Sequence, residues 1–279
     1  MSTLPFFLGL KKTPGVGGVL SPTRNLGYIF NMAKKFTKSI VKAVAPNIII
    51  ELYDLYSRTR GTHIANCPIC GFRGVFKNFG YPPRINALCP RCNSLERHRL
   101  FFYFLLKDNV PNHIYLKSKV LHFAAEPILE EFLRTFFGPN YVTADLALKS
   151  DLQLDIENLK IDSDSVGTVI CMHVLEHVND EKALSELFRI LEKGSFLILA
   201  FPIIEGWDRT YENPEIRSER ERLIHFGQVD HIKYYGKDVR VRIEKHGFQI
   251  VEEIMASPEL CIEYNLLRGE KIFICKKPT

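Results

Sequence analysis

Four cysteines in two tight pairs, Cys67-Pro-Ile-Cys70 and Cys89-Pro-Arg-Cys92, are the side chains of this sequence most able to do chemistry. Each Cys-x-x-Cys can close a small turn that carries two thiolates. Two such turns, 18 residues apart, can enclose one tetrahedral Zn²⁺. The ion would fold a stretch too short to bury a core of its own. The plainer reading, four incidental thiols or two disulfides, does not account for the pairing. A metal of this kind explains how a segment folds and leaves open what the protein does.

A second group of candidates lies further along, at the ends of short apolar runs. Asp145 follows Tyr141–Ala144, Asp155 follows Leu152–Leu154, and His173 and His177 follow Val166–Met172. An acid at a strand end can accept both hydroxyls of a ribose, the role expected of Asp145; Asp155 could accept from an exocyclic amine. Either could instead be a solvated Asp capping its own loop.

These positions need a sheet to hold them, and the pattern from Lys119 onward predicts one. Val120–Ala124, Tyr141–Ala144, Leu152–Leu154, Val166–Met172 and Ser195–Phe201 read as strands. Between them run helical patterns at Pro127–Phe137 and at Asp180–Glu192, the latter closed by Lys193-Gly194. A further helix is expected over Lys237–His246. The last strands, Phe248–Ile254 and Lys271–Lys276, have no obvious helix between them and suggest an antiparallel hairpin on one edge. Such alternation implies an α/β fold with a mostly parallel sheet covered on both faces. Ligands then bind outside the carboxyl ends of the strands, near the point where strand order reverses.

Upstream, the cysteine module covers about residues 63–93. Asn93 is the expected N-cap of the next helix, with Glu96 completing a capping box. That helix carries Leu100, Phe101, Phe104 and Leu105 and should end near Asp108 to Pro111. Three parts follow: a basic arm at 1–62, the cysteine module with its connecting helix at 63–117, and the sheet domain at 118–279.

The chain has 279 residues, 46% of them hydrophobic, enough for one sizeable core and a small appendage. Net charge is +5, but residues 1–60 carry +7 and the remainder −2. The body is therefore nearly neutral, unlike a general nucleic-acid binder, which spreads positive charge over a folded face. Seven cysteines, of which Cys171 and Cys275 lie in strand-like apolar runs, fit a reducing compartment such as the cytoplasm. No run reaches the roughly 18 apolar residues that span a bilayer. Residues 1–31 are rich in Gly and Pro and read as disordered. Residues 1–50 hold no acid, a composition that suits an organelle transit peptide; alternatively Met32 is the true start. Residues 32–57 have a helical spacing interrupted near Pro46. With the lysines opposite the apolar positions, peripheral contact with an anionic membrane is one expectation, and packing against the body is the plainer one.

Taken together, VLHFAAE (120–126), YVTADL (141–146), LDIENL (154–159), VICMHVLEHV (169–178) and ELFRILEKGSFLILAFP (186–202) resemble class I S-adenosylmethionine-dependent methyltransferases with a type 11-like domain. The cysteine pairs followed by NSLERHR (93–99), and HFGQVDH (225–231), are similar to a bacterial subgroup with an N-terminal zinc module. The resemblance implies a Rossmann-like seven-stranded sheet whose last strand is antiparallel, with S-adenosylmethionine as cofactor and Zn²⁺ on the four cysteines. It implies cofactor contacts from His122, Phe123, Ala124, Glu126, Asp145, Leu146, Asp155, Ile156, Cys171, Met172, His173 and His177, with Glu126 meeting the cofactor's ammonium. One departure stands out. The family's first loop usually holds glycines, and here it is His122-Phe123-Ala124-Ala125-Glu126-Pro127, with none. Side chains restrict close approach of a ligand to the backbone.

Methyl transfer from a sulfonium needs alignment above all, and a hydroxyl acceptor gains from a general base. Ile224–Tyr235 looks too polar for a core element and should cover the acceptor pocket, with His225 or His231 as base and Asp230 orienting one of them. A structural role for these residues is the competing expectation, as it is for His173 and His177. Arg97 and His98 could bind an anionic substrate or form an ordinary helix face. The expected function is thus methyl transfer to a small-molecule or glycan acceptor. The alternative is a module in which the zinc element recognises RNA or a protein partner, while the Rossmann-like domain methylates that macromolecule or serves as a scaffold.

Overall fold

Two antiparallel hairpins organise the cysteines: β1 (Ile64–Asn66) pairs with β2 (Arg73–Val75), and β3 (Lys77–Phe79) with β4 (Arg84–Leu88). The computed structural model describes residues 63–80, 83–107 and 118–279. The expectations for residues 1–62, including a membrane-facing helix at 32–57, and for residues 108–117 lie outside them. Among the described residues, no helix is long and apolar enough to cross a membrane.

The first cysteine turn joins β1 to β2 and the second follows β4. In each, the first cysteine's carbonyl accepts from the amide four residues on, Gly71 to Cys67 and Asn93 to Cys89, both at 2.9 Å. Gly71 and Asn93 have φ of +68° and +58°. A left-handed residue is what reverses such a tight turn, and Gly and Asn adopt it at least cost. Asn93 therefore serves the turn and is not the N-cap expected for it. The helix α1 spans Glu96–Lys107. His98 Nδ1 accepts the Leu95 N–H, and Glu96 pairs with Arg84 in β4 instead of closing a capping box.

The main sheet has seven strands in the order β12-β13-β9-β8-β5-β6-β7. They are β5 (Val120–Phe123), β6 (Tyr141–Asp145), β7 (Leu152–Gln153), β8 (Val166–Met172), β9 (Leu191–Ala200), β12 (Gln249–Met255) and β13 (Lys271–Lys276), while β10 (Tyr211–Glu212) and β11 (Lys233–Tyr234) pair with each other in the insertion after β9. β5 through β9 are parallel, and β13 runs antiparallel to both neighbours, as the sequence predicts. β12, not the last strand, forms the edge. The link between β12 and β13 also contains a short helix, α6 (Pro258–Glu263), started by the Ser257 hydroxyl accepting from Leu260 N–H. Six residues were too few to show a helical period.

Alternating residues of the central strands feed two cores. One face packs against α3 (Asp180–Ile190) and α5 (Val239–Lys245) through residues such as Leu184, Leu187, Val239 and Ile243. The other packs against α1 and α2 (Pro127–Phe137) through Leu100, Phe101, Phe104, Leu129 and Leu133. α3 stops at Ile190, before the expected Lys193-Gly194. Leu191 is buried and pairs with Val166, so the chain leaves the helix early to join the sheet.

Helix α1 belongs to both halves, and Arg99 fastens them. Its side chain is 0% exposed and donates to four carbonyls. Ala87 and Ser94 belong to the cysteine module, and Tyr264 and Asn265 to the segment after α6. Replacing it as Arg99→Met would leave buried acceptors without donors, each costing about 1–3 kcal/mol. We expect a loss of about 4 kcal/mol or more by urea denaturation, with little rescue from Arg99→Lys, which cannot fork. An unchanged midpoint in Arg99→Met would remove Arg99 from this role.

Candidate active site

Strand order reverses between the parallel neighbours β5 and β8, and each strand is followed there by a left-handed residue. Ala124 has φ +50° and His173 φ +55°. Such conformations are costly for residues with a Cβ and gather where a ligand is clamped. In the glycine-free first loop, then, Ala124 adopts the backbone state that glycine takes most easily, with only a methyl group projecting.

A cleft of about 590 Å³ opens at this point along the ends of β5, β6 and β7. Phe123, Ala124, Asp145, Leu146, Asp155, Ile156, His173 and His177 all line it, as does Asp230 from the acceptor-side prediction. Asp145 Oδ1 accepts from the amides of Ala147 and Leu148 at 2.8 and 2.7 Å, and Asp155 Oδ1 from Glu157 N–H at 2.9 Å. Each acid thus caps its loop through one oxygen and has its Oδ2 left for a ligand. Ala144, Leu154, Val174 and Val178 supply apolar walls. A nucleoside with a charged tail fits this mixture of carboxylates, small side chains and apolar surface.

The other cofactor candidates stand elsewhere. His122 is buried, bonded through Nδ1 to the Tyr141 hydroxyl at 2.6 Å, and burial pushes it down to about 3. Cys171 is enclosed in the core, where burial raises its thiol. Glu126 and Met172 line the adjoining chamber instead. Glu126 accepts from Arg97 Nε at 2.8 Å and from His98 Nε2, both on α1. Burial opposes its ionisation, yet these partners hold it down at about 2. The first loop is thereby tied to the helix that follows the cysteines.

That adjoining chamber, about 750 Å³, shares Ala124, His173, His177 and Asp230 with the first. Phe79, Gly80, Arg84 and Arg97 of the cysteine module form one wall, and Gly227, Gln228, His231 and Tyr234 another. It continues through Arg84, Arg97, His173 and Gln228 into a third space of about 510 Å³ near Glu270.

The second wall comes from the insertion after β9. Helix α4 (Glu219–Phe226) begins with a Ser218–Glu221 capping box and ends at Gly227, whose φ is +75°. A Cβ at Gly227 would lie 2.3 Å from the Tyr234 hydroxyl, so only glycine fits this corner. The segment is less polar than it reads. Phe226, His231, Lys233 and Tyr235 are all buried. His231 lies beside His177, ring centroids 4.6 Å apart, and burial lowers its basicity. His225 stands apart: it is exposed on α4 and bonded to the Tyr211 hydroxyl at 2.7 Å.

Residues 120–199 match the family model described as Methyltransferase domain. This stretch is an S-adenosylmethionine-dependent methyltransferase domain. Solved structures similar to the chain include an S-adenosylmethionine-dependent methyltransferase from Mesorhizobium loti. It is 12% identical, with 62% of this chain and 95% of that one covered at a TM-score of 0.44. Another is a Burkholderia thailandensis 1,6-didemethyltoxoflavin-N1-methyltransferase, 11% identical over 59% and 73% of the two chains, TM-score 0.42. No curated protein matches.

His173 forms a cluster with two acids, Glu176 and Glu270, that the sequence showed only in part. His173 donates to Glu270 at 2.9 Å and reaches Glu176 at 3.4 Å. Burial alone would lower His173, but these two carboxylates raise it to about 9. Neither Glu176 nor Glu270 was singled out from the sequence. Glu176 had a signal, an acid between two apolar-flanked residues of VLEHV, where an exposed role is hard to arrange.

The four cysteines converge, their sulfurs all within 4.8 Å of one another. Cys67 to Cys92 and Cys70 to Cys89 are 3.6 Å apart, too far for disulfides. A tetrahedron of Zn–S bonds of about 2.3 Å needs sulfurs roughly 3.8 Å apart. The set therefore fits a four-thiolate ion. Hydrogen bonding from Cys89 holds Cys67 down at about 4, and the same contact raises Cys89.

Proposed function

We propose that this protein transfers a methyl group from S-adenosylmethionine to a small-molecule or glycan acceptor, and that a zinc-bound cysteine module forms one wall of the acceptor site. The observation that carries this reading is the meeting of the two chambers at Ala124, His173, His177 and Asp230. A cofactor in the first chamber would direct its methyl group into the second. S-adenosylmethionine supplies an activated methyl on a sulfonium. The chain's own task is alignment and exclusion of water. Asp145 Oδ2 would take the ribose and Asp155 Oδ2 the base, while the apolar walls would hold the adenine ring. The ammonium end would lie toward the first loop. There Glu126 is already satisfied by α1, so it would act through its field while fixing that loop. The proton of an acceptor hydroxyl would leave toward the group formed by Glu176, His177, Asp230 and His231. His225, facing away from both chambers, has no part in it.

Calorimetry with S-adenosylhomocysteine tests the cofactor half. Asp145→Asn keeps a side-chain oxygen for the loop amides and loses the charge facing the ligand. Its loss should cost about 1.5–3 kcal/mol, tenfold to a hundredfold in Kd. Equal affinity for wild type and variant would remove Asp145 from the ribose, and no heat with wild type would remove the cofactor. Incubating the protein with labelled S-adenosylmethionine and fractionated cell extract then reveals which molecule gains the label.

A further inference from the structure

One side chain in the cleft is out of place for a protein without a bound ion. Glu176 is 1% exposed, and neither of its carboxylate oxygens has a hydrogen-bond partner. His173 Nδ1 is a charged neighbour 3.4 Å from Oε1, an ion-pair contact without a hydrogen bond, while its other nitrogen serves Glu270. A carboxylate buried in this way is unfavourable unless a cation offsets it. Beside it, His231 is 3% exposed, and its Nδ1 is buried without a partner as well. The third member is His177. Its Nδ1 donates to the Asp230 carbonyl at 3.2 Å, with the Asp230 carboxylate at 3.3 Å. That arrangement turns the Nε2 lone pair away from Asp230. One ligand atom from each of Glu176, His177 and His231 lies within 4.8 Å of the others.

We propose that Glu176, His177 and His231 bind a divalent transition-metal ion at the seam between the two chambers. Two imidazoles and one carboxylate are the donor set of open Zn²⁺, Mn²⁺ and Fe²⁺ sites, in which the remaining positions take water or substrate. The Asp230–His177 contact supplies the outer hydrogen bond that fixes a ligating histidine's tautomer. The site is also tethered from both sides. Glu176 and His177 sit on the turn that leaves β8, and the Ile232 N–H of the insertion donates to the Glu176 carbonyl at 2.9 Å. It is distinct from the four cysteines in place and in donor chemistry.

Its use rests on the methyltransferase reading; its existence does not. An acceptor hydroxyl bound to the ion would ionise more easily, as bound water does, and its proton would pass to Asp230, the member of the Glu176, His177, Asp230 and His231 group that is not a ligand. The resulting oxygen attacks the methyl carbon. The carbon–sulfur bond breaks, its electron pair stays on sulfur, and the sulfonium becomes a neutral thioether. The acceptor class this favours is an oxygen nucleophile able to ligate a metal, such as a phenol, enol or vicinal diol.

The test titrates full-length, zinc-replete protein with Mn²⁺, followed by loss of the free-ion EPR signal, and with Co²⁺, followed by visible absorption. Wild type should take up one ion per chain at a site without thiolate charge-transfer bands. Glu176→Gln and His231→Asn should each weaken uptake at least tenfold. S-adenosylhomocysteine binding by the same variants should stay within about threefold, which also reports that they fold. No uptake of either ion by wild type that binds S-adenosylhomocysteine overturns the metal site and leaves the methyltransferase reading standing. Uptake unchanged in both variants overturns it too, because the ion would then lie elsewhere. Uptake by a wild type that binds no S-adenosylhomocysteine supports the metal site and removes the cofactor reading.

Discussion

Stripping the thiolate-bound metal, or replacing Cys89 as Cys89→Ser, should melt residues 64–93 while the seven-stranded sheet stays folded. The cysteine module has almost no core to fall back on. Ala65, Cys67, Phe76, Ala87 and Cys89 are its buried apolar residues, with Ile69 and Phe72 packed alongside. A core of that size does not offset the chain entropy of thirty residues. Zn²⁺ binding by a cysteine site of this type supplies about 10–16 kcal/mol. By contrast, the sheet domain has two extensive cores of its own, and α1 contributes to one of them. The consequences should still reach the active site. Arg99 would lose Ala87 and Ser94, and the Arg84–Glu96 pair would open. The walls at Phe79, Gly80 and Arg84 would then leave the acceptor chamber. Methyl transfer should therefore fall by two orders of magnitude or more, whereas S-adenosylhomocysteine affinity changes modestly. Hydrogen exchange of 64–93, with metal content measured in parallel, decides the matter. Full protection of that segment in metal-free protein would show that the thiolate ion is dispensable.

How far the sequence reached can be judged residue by residue. The cysteine turns and the order of β5 to β9 were legible because both are local. One depends on a four-residue spacing and the other on runs of buried residues that need no knowledge of their partners. Asn93 was misread because two local roles compete at one position. Its side chain suits an N-cap, but the turn from Cys89 needs a left-handed residue there, and the turn wins. His225 and His231 were indistinguishable in a polar stretch. Helix α4, which carries His225 and ends before His231, places Phe226 inward and so turns His225 out, and its weak apolar periodicity gave no warning. Glu126 was assigned to the cofactor because Arg97 and His98, about thirty residues earlier, carry no sign in the sequence that they return to it. Glu176 was overlooked although its apolar flanks in VLEHV hinted at burial, because which partners meet a buried charge is a tertiary fact.

The insertion that carries Gln228 to His231 is anchored by a buried ion pair, and breaking one side of it should be among the most damaging single changes outside the cysteines. Lys233 and Asp180 are both buried, and Lys233 Nζ donates to Asp180 Oδ1. Tyr235 donates to the Leu175 carbonyl at 3.1 Å and to Asp180 Oδ2 at 3.2 Å, and Arg242 Nη1 donates to the same oxygen at 3.1 Å. Asp180 also sits in the first turn of α3, where a negative charge is favoured. Burial opposes ionisation of Asp180, yet Lys233 and Arg242 hold its carboxyl below the usual range. A carboxyl whose folded value is depressed contributes stability above its unfolded value near 3.9, and that contribution fades as pH falls through the folded value. Asp180→Asn should remove it at neutral pH and leave the buried Lys233 with only the more distant Glu212 carboxylate at 3.5 Å, at about 3–5 kcal/mol. For a folded unit of this size that is a drop of roughly 10 °C in Tm. Asp180→Asn combined with Lys233→Met should recover most of the loss, because no lone charge stays inside. The stability gap between wild type and Asp180→Asn should narrow as pH falls below about 4. A single variant as stable as wild type at pH 7, or a double variant worse than the single, would mean that hydrogen bonds and packing, not this ion pair, hold the insertion over the cleft.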